Sequence, residues 1–157
     1  MLIYHPIKPV FDENSKVLIL GSFPSPKSRE AGFFYGHPQN RFWKVMSLIF
    51  DAEIPDDIEG KKAFLLQNGI AMWDVINSCE IVGASDSTIA NATPNDFETI
   101  FSVADIRAVF TTGATATRLY KQLTGRESIC LPSPSPANCA VSLDRLAENY
   151  KIIREYL

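Results

Sequence analysis

The sequence predicts an α/β fold: a single three-layer domain whose four-stranded parallel sheet carries helices on both faces. Three observations predict it. Four short aliphatic runs alternate with segments of helical periodicity. Each run is about strand length, and none approaches a membrane span. The 157 residues are 46% hydrophobic and 21% charged, which is enough for one core in ordinary globular proportions.

Each element has its own signal. Val17–Gly21 is the first apolar strand. Phe42, Val45, Met46 and Ile49 recur at i, i+3, i+4 and i+7, so 39–50 reads as an amphipathic helix with Pro38 in its first turn. A second helix fits 58–68, stopped by Gly69. Ile70–Ile76 is the second strand. Thr93-Pro94-Asn95-Asp96 has the form of a helix start, followed by the buried stripe Phe97, Ile100 and Phe101. Ile106–Thr111 is the third strand. A helix through Leu119, Tyr120 and Leu123 ends at Gly125, and Ile129–Leu131 is a short fourth strand. Leu143, Leu146, Ala147, Tyr150 and Ile153 mark the closing helix. No repeat, linker or low-complexity segment divides residues 1–157.

Charge and cysteine usage exclude several classes of function. The net charge is −3 and the isoelectric point about 5.4, which gives no support to strong charge-driven binding of nucleic acid. A local basic patch remains open: Lys27, Arg29, Arg41 and Lys44 lie close in sequence, in a pattern that also suits a solvated face. Cys79, Cys130 and Cys139 are odd in number and form no CxxC, which points to a reducing compartment and away from a four-cysteine metal centre. His5 and His37 are too few and too separated for a metal site. The opening MLIYHPIKPVFDENSK lacks a basic region followed by an apolar core, so a cytoplasmic protein without a secretory signal is expected.

The stretch GSFPSPKS at 21–28, directly after the first strand, comes one residue short of a phosphate loop. Such a loop presents backbone N–H groups to phosphates and then opens a helix. Here Pro24 and Pro26 delete two donors, and the following SREAGFFYGHP is a poor helix. Ser28-Arg29-Glu30-Ala31 is therefore expected in a long loop from about 22 to 38, of the length that usually carries function. In parallel sheets ligands bind beyond the carboxyl ends of the strands. GSFPS, WDVINSC, TTGAT and LPSPSPAN all fall there. Phe33 and Phe34 suit a cluster packed under the loop. Tyr35, beside Gly36, suits a stacking platform for a flat ring.

GSFPS, GFFYGHPQNRFWK and LPSPSPAN together resemble the uracil-DNA glycosylase superfamily, and its hypoxanthine-DNA (deoxyinosine) glycosylase branch in particular. DENSKVLILGSFPS, WDVINSC and PNDF extend the resemblance over nearly the whole chain. It implies a sheet of order 2-1-3-4. It implies a DNA repair enzyme that flips a deaminated base, chiefly hypoxanthine, out of the duplex and hydrolyses its N-glycosidic bond. The implied partner is DNA containing deaminated bases, met by a monomer without metal or cofactor. A mismatch-type uracil glycosylase and a non-catalytic lesion-binding module are the alternatives.

The sequence departs from the superfamily where its polar catalytic groups often stand. Phe23 occupies the place of the water-orienting Asp or Asn, and Leu131 the place of the second motif's His or Asn. The catalytic amide then falls to Asn40, whose alternative role is to cap a helix or brace the loop. The resemblance places Tyr35, Phe23, Asp74 and Ser22 around the base. An ionised Asp74 would accept from N1–H of hypoxanthine and repel the bare N1 of adenine; its alternative role is to brace a loop. Ser25 and Ser28 are expected phosphate donors, with Thr115 at a helix start and His37 also at the DNA. Ser133, Ser135, Pro136 and Asn138 form the expected minor-groove loop.

Overall fold

In the computed structural model, which describes residues 1–157, the four aliphatic runs pair in parallel. In chain order the elements are β1 (Ile3–Tyr4), β2 (Val17–Gly21), α1 (Pro26–Ala31), α2 (Phe42–Phe50), α3 (Ile58–Gln67), β3 (Ile70–Asp74), β4 (Ile76–Val82), β5 (Ser85–Pro94), α4 (Glu98–Phe101), β6 (Ala108–Thr112), α5 (Ala114–Thr124), β7 (Ile129–Leu131) and α6 (Leu143–Tyr150). A 3-10 turn, Lys151–Tyr156, extends α6.

The parallel sheet has the order β3-β2-β6-β7, which is the expected 2-1-3-4. Every residue of β2 and β3 is buried, so both faces of the sheet centre are covered. That is why these strands read as unbroken apolar runs rather than alternating ones. Register sets Gly21 beside Asp74 and Leu20 beside Thr111, so the carboxyl ends of β2, β3 and β6 lie level. Phe42, Val45, Met46 and Ile49 of α2 are all buried, as their spacing predicts, and α2 packs on α6.

The structure corrects the sequence reading in four places. First, a second sheet of order β1-β4-β5 is antiparallel and was not expected. Ile70–Ile76 does not run on as one strand: the chain leaves the parallel sheet after Asp74, and Ile76 begins the hairpin. Second, Thr93 and Pro94 end β5 instead of starting a helix. Pro94 lies on an edge strand, where a missing N–H is tolerated, and the short α4 begins only at Glu98. Third, the 22–38 loop contains α1. Ser25 Oγ accepts from the Ser28 N–H, Pro26 opens the helix, and Gly32 closes it in the left-handed region at φ 80°. These are strong caps on only six residues, so the helix leaves little periodicity to read. Fourth, α2 starts at Phe42, because Asn40 and Arg41 are used outside the helix.

Candidate active site

Gly21, Asp74, Thr112 and Ser133 stand at or just past the strand ends and line one pocket with Tyr35, Asn40 and Phe23. The pocket lies where the sheet topology predicts a ligand. Its floor is Gly21, whose missing side chain lets Asp74 Oδ1 and Tyr35 Oη approach closely: a Cβ there would fall 2.6 Å and 3.3 Å from them.

Asp74 is 4% exposed. Its Oδ2 is held at 2.7 Å by His5 Nε2 on the segment after β1, and the His5 side chain is itself 2% exposed. The Ile7 N–H donates to His5 Nδ1 at 3.3 Å, which places the ring proton on Nε2, where it donates to Asp74. Asp74 therefore offers an acceptor, Oδ1, to the pocket. His5 is the residue that sequence reasoning missed here. It lies 69 positions from Asp74 and is delivered by pairing of β1 with β4.

Tyr35 has φ 54°, a left-handed conformation that is unusual for a bulky residue. Two contacts hold it there. Its ring stacks on Phe42, centroids 4.1 Å apart and planes 12° from parallel, and its hydroxyl bonds Thr112 Oγ1 at 2.9 Å. Burial first, then the nearby Asp74 charge, pushes the phenol far above its ordinary pKa, against the opposing Thr112 bond. Tyr35 is thus a neutral, rigid plate, with Phe42 behind it and the pocket on its uncovered side. Phe33 and Phe34 are buried beneath the loop, as their sequence context suggests. Phe23 is also buried and forms a pocket wall, edge-on to His5 at 5.9 Å.

Asn40 performs its bracing role and keeps a free group as well. Its Oδ1 accepts from the Phe42 N–H at 2.9 Å, which fixes the orientation of the amide, because only the oxygen can accept. Nδ2 has no partner in the fold, and Asn40 lines the pocket. Ser22 is nearly buried and donates to Asp86 Oδ1 at 3.0 Å. Asp86, beside the turn of the unexpected hairpin, enters the pocket wall with Ile81 and Ala84, and no sequence signal marked it. Partial burial raises its carboxyl pKa from the ordinary value; the Ser22 bond opposes this, and the Asp74 charge adds to it.

The expected DNA contacts divide. Ser25 caps α1, and Ser28 is buried with its Oγ accepting from the Gly36 N–H at 2.9 Å, so these two hydroxyls hold the loop. Thr115 is half-buried in the first turn of α5, and His37 sits half-buried near Gln39 with Nδ1 accepting from the Gln39 N–H. Ser133 and Ser135 brace the 132–141 loop through successive backbone bonds, and Asn138 Nδ2 donates to the Ser133 carbonyl at 3.0 Å. Pro136 is exposed at that loop. The loop is pinned from the end of α6 and from the residue that precedes α2. Tyr150 Oη donates to the Pro132 carbonyl, and the Arg41 guanidinium donates to the carbonyls of Ser135, Asn138 and Val141. Arg41 is therefore internal wiring. Arg29 is likewise engaged, donating to the Pro24 carbonyl, so the basic run at 27–44 does not act as one patch.

The chain matches the family described as the Uracil DNA glycosylase superfamily over residues 8–156. A hypoxanthine DNA glycosylase of Methanosarcina acetivorans is 34% identical over 149 residues, covering 92% of this chain and 94% of that protein. A hypoxanthine DNA glycosylase of Methanosarcina barkeri is 33% identical over 97 residues, 61% of each chain. A solution NMR structure from Methanosarcina acetivorans, provisionally named a uracil DNA glycosylase, superposes with a TM-score of 0.82 at 31% identity and covers 99% of both chains.

Proposed function

The chain belongs to the uracil DNA glycosylase superfamily, and from that premise we propose that it is a monofunctional DNA glycosylase releasing hypoxanthine from deoxyinosine. Residues 1–157 act as one glycosylase domain, a monomer working in the cytoplasm on DNA with deaminated bases, without metal or cofactor.

The observation that carries the substrate reading is the fixed acceptor at Asp74. A carboxylate whose other oxygen is tied to His5 meets N1–H of hypoxanthine favourably and opposes the lone pair on N1 of adenine. The relatives named as hypoxanthine DNA glycosylases support the same substrate. Guanine shares the N1–H, so its exclusion falls to the space left for a 2-amino group rather than to Asp74. Uracil offers N3–H to the same acceptor and belongs in any test.

The flipped base stacks on Tyr35, a contact any base can make. As the N-glycosidic bond lengthens, the bonding electrons move into the base and the sugar becomes oxocarbenium-like. The free Nδ2–H of Asn40 suits the departing base, where negative charge grows, and a preorganised donor stabilises that charge most when water is excluded. Water then bonds C1′ and leaves an abasic site.

The test is single-turnover incubation with matched duplexes carrying inosine, uracil, xanthine or adenine, followed by alkaline cleavage of abasic sites. Fastest cleavage at inosine is expected. Binding to inosine duplex without abasic sites would overturn the enzymatic reading, and faster cleavage at uracil would overturn the substrate.

A further inference from the structure

Hydrolysis requires a group to accept the proton of the attacking water. The first loop supplies none, because Phe23 and the prolines there cannot accept a proton. Three titratable side chains line the pocket: Tyr35, Asp74 and Asp86. The Tyr35 phenol stays protonated and is bonded to Thr112. One oxygen of Asp74 is tied to His5 and the other faces the base position. His5 is enclosed, with both ring nitrogens engaged. Asp86 differs from all of these. Ser22 holds its Oδ1 at 3.0 Å from the residue that precedes Phe23, while Oδ2 has no partner and the residue is open to solvent.

We propose that Asp86, carried into the pocket by the β4–β5 hairpin and tethered by Ser22, is the general base that takes the proton from the attacking water. The inference rests on the glycosylase reading above. In the step, the water oxygen bonds C1′ as the C1′–N9 bond breaks. The bonding pair leaves with N9, Asp86 Oδ2 receives one water proton, and the base departs as an anion that solvent protonates. Asp86 then returns its proton to solvent. No oxidant, reductant or further reactant is required.

The surroundings suit this role. Asp74 on β3 and Cys79 on β4 are the titratable groups that interact with the carboxyl, and Arg29 on α1 lies beyond them, beside Cys79. Although the residue reaches solvent, desolvation on its pocket side outweighs the opposing Ser22 bond and, with the Asp74 charge, makes Asp86 a stronger base than a free carboxylate. The role also accounts for a second carboxylate in a site meant for a polyanion, where it opposes binding.

Asp86→Asn separates tether from base, because its amide oxygen still accepts from Ser22. The experiment measures single-turnover hypoxanthine release from an inosine duplex, from mildly acidic to mildly alkaline pH, together with duplex affinity and unfolding. Wild type should lose rate as pH falls through the Asp86 pKa, which lies above the ordinary carboxylate value of about 3.9. Asp86→Asn should fold normally and bind the duplex at least as tightly. Its release should be slower by about 10²–10⁴-fold, with the acid limb abolished. Asp86→Glu should recover part of the rate and the limb. A folded Asp86→Asn protein that releases hypoxanthine at the wild-type rate would overturn the role of Asp86 and leave the glycosylase reading standing. Wild type that releases no hypoxanthine would overturn both.

Discussion

Gly21→Ala adds one methyl group at the floor of the pocket. The new Cβ would lie 2.6 Å from Asp74 Oδ1, 3.3 Å from Tyr35 Oη and 3.7 Å from Thr112 Oγ1. The first separation is too short for any Cβ, so something must move by several tenths of an ångström. Asp74 cannot retreat easily, because His5 holds its other oxygen from behind and both side chains are enclosed. Gly21 is not among the residues with left-handed backbone, so the cost is steric rather than torsional. Overpacking of this kind costs about 1–3 kcal/mol. A misplacement near 1 Å in a catalytic site costs about 10²-fold in rate, so a shift of several tenths should slow hypoxanthine release roughly tenfold. Gly125→Ala is the control. Gly125 caps α5 at φ 75° with nothing within 4 Å of its added Cβ, so the change costs about 1–2 kcal/mol of backbone strain without touching the pocket. Urea unfolding and single-turnover release from an inosine duplex measure both effects. Comparable stability losses with slowed release only in Gly21→Ala are expected. If Gly21→Ala matches wild type in both assays, the close approach of Asp74 is not required. If Gly125→Ala slows release equally, the loss reports stability alone.

The other predictions use the same assays. Asn40→Asp keeps the acceptor for the Phe42 N–H, removes the donor and adds a negative charge where charge grows on the departing base, so it should fold and lose at least about 10²–10³-fold in release; an active, folded Asn40→Asp would remove Nδ2 from the mechanism. Tyr35→Phe keeps the stack on Phe42 and loses one hydrogen bond, about 0.5–1.5 kcal/mol, and should retain most activity, whereas Tyr35→Ala should lose far more. Equal damage by the two would make the hydroxyl the working group. His5→Phe removes the one side-chain donor to the Asp74 carboxylate and should destabilise by about 1–3 kcal/mol in urea unfolding at neutral pH; unchanged stability would show that His5 does not hold the carboxylate. Asp74→Asn should narrow the ratio of inosine to adenine release by the equivalent of about 1–3 kcal/mol, since an amide can rotate to donate to adenine N1. An unchanged ratio would return Asp74 to a bracing role.

The sequence by itself determined the parallel sheet and the pocket-lining residues that lie next to its strands. Val17–Gly21 and the Ile70–Asp74 part of the second run are legible because a strand buried on both faces is apolar nearly throughout. Tyr35, Asn40 and Asp74 are legible because each lies within or beside a distinctive local string. Only the tertiary structure decided what those residues touch. The β5 strand is mostly exposed and polar, so it has no hydrophobic period, and its pairing with β4 rests on backbone hydrogen bonds that carry no side-chain signature. That pairing brings Asp86 to Ser22 across 64 residues. Pairing of β1 with β4 likewise brings His5 to Asp74 across 69. Arg41 reads in sequence as a surface cation, yet the carbonyls it satisfies belong to a loop about a hundred residues away. Local pattern reports which face of an element is buried. Which buried or half-buried polar groups meet depends on chain closure over long separations, and that is fixed by packing of the finished fold.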